Sequence, residues 1–92
     1  MAVFIVTYDT HYGRNYQTLY DAMKEKGGVR LAESVWGIEL NNKVGEVRDW
    51  VKDMLDDDDT IVVIQVKPKP SWATAKAKQS ANEWLTQNCQ SS

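Results

Sequence analysis

Several residue types on which enzymes and metal sites depend are scarce in this chain of 92 residues. It has one cysteine, Cys89, so neither an intrachain disulfide nor a cluster of thiolate metal ligands can form. It has one histidine, His11. This number is too small for a conventional zinc site, and it excludes a catalytic triad in a chain that keeps a second histidine for another role. The glycine-rich signatures of phosphate-binding loops, GxxxxGK[ST] and GxGxxG, are also absent. These absences remove the common metal-thiolate and nucleotide-loop classes.

Long apolar runs are missing as well. The longest ones, Ala2 to Val6 and Ile61 to Ile64, are far too short to span a membrane, and no basic segment precedes the first as a secretion signal requires. The composition, 42% hydrophobic and 26% charged, is typical of a globular protein. We therefore expect one folded domain in the cytoplasm, without membrane contact. A domain this small buries a limited share of its surface, so pairing with a second subunit would add stability.

Three β-branched or alternating apolar segments predict four β-strands. The first is the run at residues 2 to 8, which is largely apolar on both alternating sets. Residues 29 to 40 alternate again around the polar pair Glu33-Ser34, which predicts a hairpin. The last strand is the run at 60 to 66, which the sequence KPKP closes because proline cannot continue a strand ladder.

Apolar residues at helical spacing predict three helices. The first spans residues 15 to 26 and stops at Gly27-Gly28, where a left-handed residue is needed. The second is capped by Asn41 or Asn42 and ends before the four aspartates 56 to 59, which lie at the unfavourable end of the helix dipole. The third is capped by Ser71. Its predicted apolar side comprises Trp72, Ala77, Ala81, Trp84 and Leu85, whereas Lys76 and Lys78 remain in solvent.

The order of these elements, β-α-β-β-α-β plus a helix, predicts an α+β ferredoxin-like fold. Its four-stranded antiparallel sheet carries two helices on one face. Residues 1 to 66 form this core, and residues 67 to 92 add a proline-bounded helix and tail to the same domain. Because the first and last strands are apolar on both sides, the second face must be covered too. Either the third helix or a second subunit covers it.

Asp9 is the strongest candidate for chemistry. A carboxylate at the carboxyl end of a central strand is held by rigid backbone, opens into a loop, and suits a hard cation such as magnesium. In a two-fold dimer, two copies of Asp9 would hold a metal that activates water beside a phosphodiester. An aspartate after a strand also commonly bonds to backbone amides two residues on, and the residues alone favour that interpretation.

The remaining candidates are basic or acidic loop residues. His11 is expected to be a solvated loop residue, and Arg14 either contacts phosphate or pairs with a local acid. The aspartates 56 to 59 lack the glycine and distal glutamate of an EF-hand loop, so we interpret them as a solvated helix terminus. The basic tail supplies the candidate contacts to nucleic acid, which are Lys67, Lys69, Lys76 and Lys78.

Three segments, VTYDT, GVRLAESVWGIEL and DDTIVVIQV, together resemble the CRISPR-associated protein 2 family, the small subunit of the CRISPR adaptation machinery, over residues 1 to 66. Tyr8-Asp9 matches the pair that closes the family's first strand, and Ser34-Val35-Trp36 matches a triplet in its hairpin. The virulence-associated protein D toxins are similar more distantly. The resemblance implies a homodimer in which Asp9 of each subunit faces its mate across a magnesium ion. It also implies a nuclease of RNA or double-stranded DNA, with Asp9 as catalytic metal ligand and His11 and Arg14 nearby for phosphate or proton transfer.

Members of this family also serve as a non-catalytic scaffold that holds DNA for the integrase. The alternative function is therefore a dimeric scaffold or regulator whose protein partner is a CRISPR integrase or an antitoxin-type protein. Two departures bear on the choice. The loop from Thr10 to Asn15 has only Arg14, where the family commonly has several basic residues. The C-terminal segment is predicted to be helical, where the family usually adds a strand that pairs with the partner's sheet.

Overall fold

The structure, a computed structural model, describes residues 2–9, 11, 14–67 and 70–89. The elements are β1 (Ala2–Tyr8), α1 (Gln17–Glu25), β2 (Val29–Ala32), β3 (Val35–Leu40), α2 (Val44–Lys52), β4 (Ile61–Val66) and α3 (Gln79–Asn88). The four strands form one antiparallel sheet in the order β2-β3-β1-β4. The predicted ferredoxin-like α+β fold with an extra C-terminal helix is confirmed. Within the described ranges, no helix has both the length and the apolar character needed to cross a membrane.

The first helix ends where its glycine pair was predicted to stop it. Gly27 has φ of 80°, a left-handed conformation that glycine adopts without strain. Its amide donates to the Lys24 carbonyl oxygen at 3.0 Å, and the Gly28 amide donates to the Met23 carbonyl oxygen at 2.7 Å. These bonds satisfy carbonyl groups that the end of α1 would otherwise leave unpaired.

One face of the sheet is covered by α1 and α2. Two polar atoms inside this layer pair with each other, since Trp36 Nε1 donates to the Tyr8 hydroxyl at 3.2 Å. The buried layer comprises Phe4, Val6, Tyr8, Tyr16, Leu19, Met23, Trp36, Ile38, Val47 and Val51. Leu19 and Met23 of α1 and Val47 and Val51 of α2 therefore face the sheet.

The second face is covered in part by α3 of the same chain. Trp84 and Leu85 pack on this face against Ile5 of β1 and Leu31 of β2, among other apolar residues. The coverage reaches β4 only at Val66, and farther along this strand Val62 is 46% exposed and Ile64 is 54% exposed. Of the two predicted ways to cover this face, the third helix is therefore the one observed within the protomer. It leaves the apolar strip of Val62 and Ile64 on β4 exposed.

Two predicted helix starts were wrong. The third helix begins at Gln79 rather than at Ser71, because Lys76 adopts a left-handed φ of 61° that a helix cannot contain. Trp72 therefore lies outside the helix, yet its indole N–H donates to the Cys89 carbonyl oxygen and keeps it on the same face. The second helix is capped at Lys43 rather than at Asn41 or Asn42. There the Lys43 amide donates to Glu46 Oε1 at 2.8 Å.

Candidate functional site

Asp9 lies at the tip of β1 with its backbone held on both sides. Its amide donates to the Thr60 carbonyl oxygen at 3.1 Å, and its own carbonyl oxygen accepts from the Tyr16 hydroxyl at 3.4 Å. The residue is exposed, and its carboxylate makes no hydrogen bond or ion pair with another described residue. In the part of the chain that the structure describes, no group of three or more His, Cys, Asp or Glu side chains could hold a metal ion.

Arg14 and His11 belong to a charged cluster with the acidic run that precedes β4. Arg14 contacts three carboxylates, with Nη1 at 2.6 Å from Asp59 Oδ1, Nη2 at 2.9 Å from Asp58 Oδ2, and Nε at 3.2 Å from Asp56 Oδ2. His11 Nδ1 lies 2.7 Å from the same Asp59 oxygen. We call these five residues the arginine-aspartate cluster. It joins the loop after β1 to the loop before β4.

Asp59 is the buried centre of this cluster. Its side chain is 1% exposed, and its second oxygen, Oδ2, accepts from the Asp56 amide at 3.0 Å. The interpretation of residues 56 to 59 as a solvated helix terminus was therefore wrong for Asp59, although Asp56 and Asp58 are exposed. A buried carboxylate persists because hydrogen bonds and a cation compensate for its lost hydration.

The cluster is strongly coupled electrostatically. The hydrogen bond from Arg14 holds the pKa of Asp58 below its ordinary value of 3.8. The same bond raises the pKa of Arg14 above its usual range. Three carboxylates thus share one guanidinium, and the positive charge of Arg14 is already neutralised by its neighbours. Of the two interpretations offered for Arg14, pairing with local acids is the one observed.

A second site lies at the opposite edge of the sheet, where three basic residues and one acidic residue, Glu33, line one open groove of about 660 Å³. Arg30 comes from β2, whereas Lys76 and Lys78 come from the segment that precedes α3. We call these three residues and the adjoining Ser80 the basic groove. It forms because the left-handed residue Lys76 turns the segment at the end of β2 before α3 begins.

Arg30, one of the residues that line the groove, has its guanidinium held in a fixed orientation. Its guanidinium donates to the Glu33 carbonyl oxygen, with Nε at 3.0 Å. The same group lies over the ring of Tyr20, with Cζ 4.7 Å from the ring centroid. The hydrogen bond to the backbone and the stacking on an aromatic ring fix the direction of the guanidinium. Neither contact involves a carboxylate, so neither neutralises its charge.

The structure brings together only some of the residues predicted to contact nucleic acid. Lys76 and Lys78 share the basic groove, while Lys67 follows β4 at the other edge of the sheet. Lys69 lies outside the described residues. Sequence reasoning missed Arg30, because a single arginine in a short strand gives no signal until the tail folds against it.

Comparison with known proteins adds no assignment to either site. No protein-family model matches the chain, and no solved structure matches it significantly. The resemblance to the CRISPR-associated protein 2 family therefore rests on the short segments quoted above. Because the ferredoxin-like fold serves many functions, function has to be inferred from the sites.

Proposed function

We propose that this chain is a non-catalytic, nucleic-acid-associated domain that contacts the phosphate backbone through the basic groove. The observation that carries the proposal is the convergence of Arg30, Lys76 and Lys78 from two separate segments onto one groove. Contacts to phosphate supply a large share of the affinity of proteins for nucleic acids, and they carry little sequence information. The corresponding role is that of a scaffold or regulator that holds a strand.

The geometry of the basic groove suits a phosphate. Arg30 contributes a guanidinium that is oriented by Glu33 and Tyr20, and Lys76 and Lys78 add flexible point charges to the lining. The first turn of α3 starts directly after Lys78 and contains no acidic residue, so its amide groups and dipole also favour an anion. Ser80, in the same turn, adds a hydroxyl donor to the lining.

Two observations favour this role over a magnesium-dependent nuclease. Within one protomer Asp9 offers a single carboxylate, and magnesium bound by protein side chains usually needs more oxygen ligands than that. A magnesium site would require Asp9 of a second subunit, but the C-terminal segment forms α3 on the protomer's own sheet, where the family usually adds a strand that pairs with the partner's sheet. His11 and Arg14, the residues expected to assist phosphate or proton transfer, both bind Asp59.

The test is a comparison of two lysine pairs. The 92-residue chain is titrated into fluorescently labelled duplex DNA, single-stranded DNA and RNA, and anisotropy reports binding. The double variant Lys76→Ala/Lys78→Ala should bind several-fold more weakly. The matched control, Lys24→Ala/Lys52→Ala, removes the same charge from exposed positions on α1 and α2 and should bind as the wild type does. Absent binding, or equal losses in both double variants, would reject the basic groove.

A further inference from the structure

The outer edge of β4 carries unpaired backbone groups. In the described sheet β4 pairs only with β1, and Asp9 N donates to Thr60 O at 3.1 Å. Hydrogen-bonded residues alternate along an antiparallel strand, so the even-numbered residues of β4 direct their backbone groups to β1. The odd-numbered residues Ile61, Val63 and Gln65 therefore turn their N–H and C=O groups outward. Such an edge is a template for pairing with another chain.

The same edge exposes apolar side chains. Val62 and Ile64 project onto the second face, beyond the region that α3 covers, and are 46% and 54% exposed. Among the described residues, the other large hydrophobic side chain that is exposed is Val44 on α2, at 39%. Two of these three side chains, Val62 and Ile64, thus lie two positions apart on a strand whose outer backbone edge is also unpaired. Burial of this strip and pairing of this backbone would happen in a single contact.

We propose that β4 pairs in antiparallel fashion with β4 of a second copy of this chain, with the two-fold axis at Val63. In this register Val63 lies opposite itself and Ile61 lies opposite Gln65, so all outward-facing residues of the strand form hydrogen-bonded pairs. Val62 then lies beside Ile64 of the other copy on the second face. The two four-stranded sheets become one continuous sheet, and the proposal goes beyond the nucleic-acid role of the basic groove.

Charge along β4 favours a second copy in this orientation. The strand is preceded by the four aspartates 56 to 59 and followed by Lys67. Antiparallel pairing about Val63 brings Lys67 of each copy opposite Asp59 of the other, beside the exposed carboxylates of Asp57 and Asp58. A parallel arrangement would place acidic end against acidic end. One short segment is thus complementary to itself in hydrogen bonding, apolar contact and charge.

The pairing requires no displacement of the tail. α3 packs mainly on β2 and β3, and the β4 residue in its apolar cluster is Val66, at the end of the strand and outside the Ile61 to Gln65 pairs. A two-fold axis perpendicular to the sheet leaves both copies of α3 on the same face, flanking the joined apolar strip. The basic grooves would lie at the two outer edges of the continuous sheet.

Sedimentation velocity of the 92-residue chain over a range of concentrations tests the pairing. The wild type should show a monomer–dimer equilibrium, and Val62→Lys should weaken dimerisation by about tenfold or more, because the two-fold axis places two lysines in the interface. Val44→Lys is the matched control, since it makes the same change at an exposed valine outside the strip. It should leave the dimer unchanged.

A second variant probes the backbone directly. Gln65 has an exposed side chain and an outward-facing amide, so Gln65→Pro removes a donor to the second copy and spares the ladder to β1. It should abolish the dimer while the thermal unfolding midpoint of the monomer stays within a few degrees. A wild type that is monomeric at every concentration would overturn the proposal. A dimer of equal strength in Val62→Lys and Gln65→Pro would also overturn it, because that dimer uses another surface.

Discussion

The indole ring of Trp84 lies directly on the backbone of Gly37, so closely that a Cβ atom at this position would collide with the ring. Gly37 is in the middle of β3, and Trp84 is the main side chain that α3 inserts onto the second face. Docking of the tail helix therefore depends on the missing side chain of one strand residue. This contact decides whether the second face is covered within the protomer.

Substitution of Gly37 should loosen α3. We expect Gly37→Ala to lower the free energy of unfolding by about 1–3 kcal/mol, the usual cost of overpacking, because the ring of Trp84 has to move. Urea unfolding followed by tryptophan fluorescence measures it. Gly45→Ala is the control: the atom nearest to its new methyl group is Arg48 Nη2 at 3.9 Å, and in helix α2 it should be neutral or stabilising. A Gly37→Ala protein as stable as Gly45→Ala would contradict the contact.

The buried Tyr8–Trp36 pair makes stability sensitive to alkali. Burial raises the pKa of Tyr8 from 10.0 to about 12. Because the folded pKa is the higher one, the stabilisation that depends on the neutral phenol is complete below pH 10 and is lost as the pH rises towards 12. Urea unfolding at neutral pH and at about pH 11 should show this loss in the wild type.

The matching variant is Tyr8→Phe. It leaves Trp36 Nε1 without its acceptor, so we expect a loss of about 1–3 kcal/mol at neutral pH. It also removes the ionisable group, so the additional loss between neutral and alkaline pH should become smaller. An alkaline loss as large in Tyr8→Phe as in the wild type would assign the effect to other groups.

Asp59 should be the structural centre of the arginine-aspartate cluster. Asp59→Asn removes the charge that holds Arg14 and His11, and we expect a loss of about 2 kcal/mol in the free energy of unfolding. Asp57→Asn changes an exposed neighbour in the same run and should have little effect. Chemical denaturation measures the free energy of unfolding of both variants and so compares the contributions of the two positions. Equal stability of the two variants would mean that the cluster contributes nothing to folding.

A nuclease assay of the wild type and of an Asp9 variant distinguishes the scaffold role from catalysis. The proposed non-catalytic role predicts that RNA and double-stranded DNA remain intact after incubation with the wild-type protein and magnesium or manganese. Gel electrophoresis of the labelled nucleic acid is the measurement, with Asp9→Asn run in parallel. Metal-dependent cleavage by the wild type that disappears in a folded Asp9→Asn protein would contradict the proposal and favour the nuclease.

Much of the fold was predictable because it follows from local periodicity and turn chemistry. The apolar run of β1 and the stop at Gly27-Gly28 both lie where the sequence indicates. The start of α3 was not predictable, because the left-handed conformation of Lys76 comes with the folding of the tail onto β2 rather than from a glycine or proline signal. The contact of Trp84 with Gly37 depends on packing between segments far apart in the chain.

The sites were less predictable than the fold for the same reason. Arg14 and Asp59 are 45 positions apart, and neither has a spacing pattern that reveals its partner. Arg30 joins Lys76 and Lys78 only after the tail has crossed the second face. Composition did indicate a basic tail, but the groove itself is a product of tertiary structure.

The most direct test of the basic groove is the salt dependence of nucleic-acid binding. Each phosphate contact that a lysine makes contributes about one unit to the slope of log K against log salt for duplex DNA. If the basic groove binds phosphate, Lys76→Ala/Lys78→Ala reduces the steepness of this slope by about two units, and Lys24→Ala/Lys52→Ala leaves it unchanged. A slope that is the same in the wild type and in Lys76→Ala/Lys78→Ala would contradict the proposed function.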